Sequence, residues 1–384
     1  MAQETAHLTG DPTTTRVTRG RLADGRELLY FDRDSSSPRM APDLRDLPPR
    51  DCASELRWDP AQREWTVIAR HRQARAFQPP VSDCPLCPSR GTARTEIPES
   101  SYEVVTFENR FAAFAQAEVF PDPDPLPAAG ARLPRYPDQM RIRPGRGRCE
   151  VMVFSDDHAG AFSTLPASRV RTIIDAWVHR TSELIARPEI AYVYCFENRG
   201  DEIGVTLAHP HGQIYGFPFV PPRIEREGAA QRRHRRLRGS CLRCEMAAAE
   251  ITDGRRIVAR SAHWLCYVPF AARWPYEVRL VPRRHIGLLS DLAPDERDEL
   301  AEFYPRQLRR FDLLFGQPAP YIAGWEQAPS GPSGTGWHLS ASIFTIRRSA
   351  DKLKYLAGSE SGAAVWISDV APEAAAAALR GDQA

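Results

Sequence analysis

A chain of 384 residues is long enough for one large domain or two of ordinary size. Its 51 basic and 49 acidic residues leave a formal charge of +2, which argues against a nucleic-acid partner, and no run of 18 apolar residues is present to span a membrane. The first sixteen residues lack the basic stretch and apolar core of a secretory signal, so a cytoplasmic location is expected. In that compartment the eight cysteines (Cys52, Cys84, Cys87, Cys149, Cys195, Cys241, Cys244, Cys266) are thiols or metal ligands rather than disulfides.

Residues 1–50 are polar and read as a partly mobile arm with one short strand from Leu22 to Tyr30; a disordered leader is the equal alternative. Trp65–Ala69 reads as a strand. Arg70, Arg72 and Arg75 follow it, and guanidinium forks match phosphate oxygens, although a solvated basic turn is the plainer reading. Cys84-Pro85-Leu86-Cys87 is a C-x2-C knuckle. Such a pair either grips a tetrahedral zinc or opens a redox helix; Pro79, Pro80, Pro85 and Pro88 favour a loop, hence zinc if histidines complete it. Val104–Phe107 is a strand, and its phenylalanines taken alone are ordinary core. Residues 118–147 are a long Pro/Gly/Arg-rich loop. Cys149–Phe154 is a strand running towards His158, and residues 165–187 carry a helical apolar pattern. A strand over 191–196 leads into Phe196-Glu197-Asn198-Arg199-Gly200. His209-Pro210-His211-Gly212-Gln213 then opens another strand, on which alternate side chains share a face. Residues 223–239 are strongly basic and read as a linker with a solvated charged face.

Past this boundary the pattern recurs. Cys241-Leu242-Arg243-Cys244 is a second C-x2-C, followed by a helical stretch over 245–252, strands near 257, 264–268 and 278–282, His285, a helix over 294–315, a strand over 321–325 and the closing segment 337–344. His158 and His209 are 51 residues apart; His285 and His338 are 53 apart. Order, residue types and separations agree, which predicts two structural repeats with one closed Cys-Cys-His-His set each. The sets are Cys84, Cys87, His158, His209 and Cys241, Cys244, His285, His338, both expected to hold structural zinc.

The repeat breaks at one place: Ser340 stands where the first half has His211. A histidine committed to zinc has no free nitrogen for attack, so His211 rather than His209 is the candidate nucleophile. Gln213 shares its strand face and can donate to phosphoryl oxygens, and Gly212 leaves room between them.

The window from Phe196 to Tyr215 resembles the active-site segment of the galactose-1-phosphate uridylyltransferases, of the histidine-triad superfamily, and the resemblance extends over about residues 55–370. It implies an α+β, histidine-triad-like fold of two tandem repeats of mainly antiparallel sheet flanked by helices. It divides the chain into an arm (1–50), a catalytic repeat (51–222), a basic linker (223–239), a degenerate sugar-binding repeat (240–370) and a tail (371–384). It implies His211 as nucleophile with Gln213 as phosphoryl ligand, and Arg72, Arg75, Asn198 and Thr206 at the phosphates. Phe107, Asn109 and Phe111 would hold the uridine, and Lys354 and Glu360 the sugar. Some members bind a second, different metal through histidines; Glu326, Ser340 and Ser342 stand in those places here, so that site is not expected in its usual form. The implied reaction is ping-pong transfer of UMP from UDP-glucose to galactose-1-phosphate by a homodimer. The alternatives are a nucleotidyltransferase or a nucleotide-sugar phosphorylase for a different sugar-1-phosphate, and a non-catalytic zinc-stabilised nucleotide-binding protein.

Overall fold

The computed structural model describes residues 5–7, 15–33, 38–48, 50, 54–74, 79–114 and 140–382. In the first half the strands are β1 (Thr5–His7), β2 (Arg16–Arg21), β3 (Glu27–Asp32), β4 (Glu55–Asp59), β5 (Glu64–Ile68), β6 (Val104–Glu108), β7 (Ile142–Pro144), β8 (Arg148–Val153), β9 (Tyr192–Arg199) and β10 (His211–Phe217). The second half supplies β11 (Ile257–Arg260), β12 (Trp264–Tyr267), β13 (Tyr276–Pro282), β14 (Tyr321–Glu326), β15 (Ser340–Thr345), β16 (Arg347–Ser349) and β17 (Lys352–Leu353). The helices are α1 (Ala167–Ile185), α2 (Pro222–Arg238), α3 (Leu242–Asp253), α4 (Pro294–Phe315) and α5 (Pro372–Arg380).

Twelve strands form one sheet in the order β1-β2-β3-β6-β8-β10-β9-β14-β15-β13-β12-β11, antiparallel at every pairing. The repeat is visible in this order. Strands β6-β8-β10-β9 of the first half match β12-β13-β15-β14 of the second, and each half inserts a helix before its third strand, α1 and α4. The halves meet where β9 pairs with β14, Phe196 opposite Gly324. A bulkier residue than glycine does not fit at 324, because a Cβ there would lie 2.0 Å from the Tyr194 hydroxyl.

Helices α1 and α4 pack on one face of the sheet and against each other. Their buried stripes, Ile173, Ile174, Trp177 and Leu184 on α1 with Leu300, Tyr304, Leu308 and Phe311 on α4, join Met152, Ile214, Ala341 and Ile343 from the strands in one core. Ile214 faces that core, so its neighbours His211, Gln213 and Tyr215 face the opposite side. Helices α2 and α3 are adjacent to each other and carry little of that core. No helix among the described residues is long and apolar enough to cross a membrane.

Three sequence expectations change. The arm over 1–50 contains three paired strands, β1, β2 and β3, rather than one strand from Leu22 to Tyr30. Leu29 and Phe31 are buried in the main core, and β3 pairs with β6 through Leu28 opposite Phe107. The basic stretch 223–239 is not a linker but helix α2, which buries only Ile224, Gly228 and Gln231. Its arginines crowd the C-terminal half, where the helix dipole favours positive charge. The tail over 371–384 contains α5, whose Ala375, Ala376 and Leu379 enter the core. Of the expected loop 118–147, residues 118–139 lie outside the described residues and 142–144 form β7.

One buried ion pair ties the sheet to α1. Glu150 accepts from Arg148 Nε at 2.8 Å and from Arg180 Nε and Nη2 at 2.8 and 2.7 Å. Burial alone would raise its pKa, but Arg180 and Arg148 outweigh it and hold the carboxyl down to about 2. This stabilisation is fully present above the unfolded carboxyl value of about 4.3 and is lost as pH falls towards the folded value. Melting temperature measured against pH should therefore drop between about pH 4 and 2, and Glu150→Gln should flatten that slope.

Candidate active site

His211 opens β10 and is held by its own backbone: Nδ1 lies 2.8 Å from the carbonyl oxygen of His209. A carbonyl only accepts, so Nδ1 carries the proton and Nε2 keeps its lone pair. Gly212 allows this close packing, since a Cβ there would lie 2.7 Å from Phe154 and 2.9 Å from the Phe196 carbonyl oxygen. Gln213 pairs with Val151 on β8, and Val151 pairs with Phe107 on β6. Strands lie about 4.8 Å apart, so these three same-face residues form a floor roughly 10 Å long leading away from the histidine.

One cavity gathers His211, Gln213, Thr206, Phe107, Asn109 and Phe111, six of the residues expected from the sequence. It is also lined by Arg26, Leu86, Glu96, Arg110, Val151 and Leu207, which the sequence reading did not select. Asn109 Oδ1 accepts from the Phe111 N–H at 2.8 Å, a local turn that sets both side chains. Arg72 does not line the cavity; its Nη1 donates to the Phe111 carbonyl oxygen at 2.8 Å and buttresses that turn. Arg75 lies outside the described residues. Asn198 stands where continuation of the β9–β10 register, Gln213 opposite Phe196, places it beside His211. Lys354 and Glu360 are not among the cavity residues: Lys354 Nζ donates to Glu360 Oε1 at 2.9 Å.

Cys84, Cys87, His158 and His209 converge, as do Cys241, Cys244, His285 and His338, with the four ligand atoms of each set within 4.8 Å of one another. Cys87 Sγ lies 3.4 Å from His158 Nδ1 and 3.6 Å from His209 Nδ1; Cys244 Sγ lies 3.6 Å from His285 Nδ1 and 3.3 Å from His338 Nδ1. Tetrahedral zinc with Zn–S of about 2.3 Å and Zn–N of about 2.05 Å requires S···N near 3.6 Å, so both donor sets fit that ion. The other ring nitrogens are engaged as metal-binding histidines require. His209 Nε2–H donates to the Ser155 carbonyl at 2.7 Å and His338 Nε2–H to the Pro282 carbonyl at 3.0 Å, leaving Nδ1 inward in both. Burial, with Cys84 beside it, pushes the Cys87 thiol up to about 11, so paired thiolates here require a cation.

On the site face of the second half, Ser340 and Ser342 are filled in by charge. Glu326 accepts from both hydroxyls at 3.0 and 2.8 Å, from Arg223 at 2.7 Å, from Arg243 at 3.1 Å and from Arg279. Arg243 and Arg223 also reach Glu227. Burial opposes ionisation of Glu326, but Arg279, Arg223 and Arg243 drive its pKa far below the usual carboxylate range. Guanidinium charge thus occupies this second location. Glu326→Gln would leave largely buried guanidiniums undercompensated and should cost about 3 kcal/mol in denaturant unfolding, with little change in kcat.

Comparison with known proteins agrees with this arrangement. Residues 45–221 match the family model for the N-terminal domain of galactose-1-phosphate uridyl transferase, and residues 227–380 match that for its C-terminal domain. The galactose-1-phosphate uridylyltransferase of Streptomyces lividans is 40% identical over 320 residues, 82% of each chain. That of Thermotoga maritima is 36% identical over 328 residues, 85% of this chain and 98% of its own. A solved uridylyltransferase structure superposes with a TM-score of 0.72 at 32% identity, covering 85% of this chain and 98% of the other.

Proposed function

This chain belongs to the galactose-1-phosphate uridylyltransferase family, and we infer that it moves UMP from UDP-glucose to galactose-1-phosphate in two displacements through His211. In the first, His211 Nε2 forms a bond to the α-phosphorus and the bond from that phosphorus to the bridging oxygen breaks. Glucose-1-phosphate leaves with that oxygen and its electron pair. In the second, a phosphate oxygen of galactose-1-phosphate attacks the same phosphorus and the N–P bond breaks, giving UDP-galactose and free His211. The observation that carries this reading is the 2.8 Å contact of His211 Nδ1 with the His209 carbonyl. It presents Nε2 as the nucleophile and places a carbonyl dipole against the imidazolium charge that develops.

The other roles follow from position. Gln213 donates to phosphoryl oxygens beside His211, with Thr206 and Asn198 near it, and Phe107, Asn109 and Phe111 hold the uridine. Arg72 and Arg75 are the phosphate ligands on this reading, for which Arg72 would have to turn from the Phe111 carbonyl that it now meets. Zinc held by Cys84, Cys87, His158 and His209 supplies structure: it anchors the chain two residues before His211. Zinc held by Cys241, Cys244, His285 and His338 braces the second half. Exposed Tyr355, Leu356, Val365 and Ile367 beside Lys354 and Glu360 support a homodimer in which the sugar contacts come from this segment. The compartment proposed is the cytoplasm.

Intact-mass measurement after incubation with UDP-glucose tests the reading. A UMP adduct is expected, and galactose-1-phosphate should discharge it as UDP-galactose. An adduct formed only with another nucleotide sugar would change the substrate; no adduct with any would exclude the covalent route.

A further inference from the structure

The matched family region begins at residue 45, yet the hairpin of β2 and β3 contributes to the cavity. Arg26 immediately precedes β3, two residues before Leu28, and continuing the strand puts both on one face. Leu28 pairs with Phe107, so the register carries Arg26 opposite Asn109. The side chain is buried. Its Nε donates to Asp24 at 2.8 and 2.9 Å, Nη1 to the Glu108 carbonyl at 2.9 Å and Nη2 to Glu96 at 2.5 Å. A guanidinium has five N–H groups, so two are left without a partner among the described residues. Glu96 is held from its other side by Arg45 Nη1 at 3.0 Å, and Asp24 takes Arg110 Nη1 at 3.0 Å.

We propose that Arg26 and Glu96 recognise the base of the bound nucleotide and select uracil. This rests on the reading that a nucleotide occupies the cavity with its α-phosphorus at His211. The floor of the cavity runs from Gln213 on β10 across β8 to Phe107 on β6, and β3 is the next strand. The end of the ligand furthest from the phosphorus therefore arrives at Arg26. Charge at this end is balanced: Asp24, Asp43 and Glu96 stand against Arg26, Arg45 and Arg110, with Asp43 accepting from Arg45 Nε at 2.8 Å. A neutral set of donors and acceptors suits an uncharged polar group rather than a phosphate. Uracil presents a carbonyl, an imide N–H and a carbonyl along one edge. Arg26 supplies donors for a carbonyl, and Glu96 supplies an acceptor for the imide N–H. Cytosine carries an amine and an unprotonated ring nitrogen there, which oppose both.

The test compares UDP-glucose with CDP-glucose as UMP or CMP donor for wild type, Arg26→Met and Glu96→Gln. Wild type should strongly prefer UDP-glucose. Arg26→Met should raise KM for UDP-glucose by about tenfold or more, with kcat changed far less, and should narrow the UDP/CDP preference. Arg26→Lys, which keeps a donor, should recover part of that preference. A folded Arg26→Met protein with the wild-type UDP/CDP ratio would overturn the assignment, because general loosening of the hairpin would affect both donors alike. Should Arg26→Met not fold, Glu96→Gln decides: a narrowed ratio supports the assignment and an unchanged ratio overturns it. Absence of any nucleotidyl adduct in wild type would instead overturn the transfer reading on which this rests.

Discussion

His211→Asn is expected to lower kcat by at least about 10⁴-fold, since removal of the nucleophile abolishes both displacements at once. The cavity offers no good replacement: Glu96 is held by Arg26 and Arg45, and the Thr206 hydroxyl is a poor attacker at neutral pH. The corresponding position in the second half, Ser340, is hydrogen-bonded to Glu326. The substitution should leave the fold intact, because the histidine side chain faces the cavity rather than the core. Steady-state turnover, intact mass and melting temperature together check this. The mutant should melt within a few degrees of wild type and form no adduct. Turnover within tenfold of wild type would show that another group attacks the phosphorus.

Cys84→Ser should be the most damaging change outside the nucleophile. It removes a buried ligand of the first cluster, and a structural zinc site contributes directly to folding. A loss of about 5 kcal/mol is expected, or roughly 6 °C in melting temperature for a chain of this size. Activity should fall with it, because His209 both belongs to the first Cys-Cys-His-His cluster and supplies the carbonyl that orients His211. Metal analysis should find about two zinc ions per wild-type chain and one fewer in this mutant. Cys241→Ser makes a useful contrast. Its cluster includes the exposed His285, and no catalytic residue follows His338, so stability should fall while kcat per folded molecule is retained. Selective loss of turnover in a fully folded, metal-replete Cys241→Ser protein would contradict a purely structural second site.

The elements best legible in the sequence were those with strong local signals. Helix α4 begins at Pro294 and ends before Gly316 in a left-handed conformation, and an apolar stripe fills the interval. Helix α2 was missed because only three of its residues are buried and arginine dominates the rest, so no apolar stripe marks it. The pairing of β3 with β2 and β6 is illegible for a different reason. Short strands are stabilised by partners distant in sequence, and here the partner of Leu28 is Phe107. In the sequence Arg26 is one more charge in a polar arm; its contacts with Glu96 and the Glu108 carbonyl form only on folding.

The two expected ligand sets, the expected nucleophile and the doubled architecture are legible in the sequence alone. Those follow from residue type and spacing: paired C-x2-C motifs, histidines 51 and 53 residues apart, and His211 without a histidine counterpart in the second half. Such chemistry is written one residue at a time and survives without knowledge of contacts. Only the tertiary structure shows which tautomer His211 adopts, how charge fills the second-half site around Glu326, and that the N-terminal hairpin helps to wall the cavity at His211. Each of these depends on groups brought together from far apart along the chain. A hydrogen bond or buried ion pair acts over about 3 Å, and distance along the chain does not reveal which groups folding will bring that close.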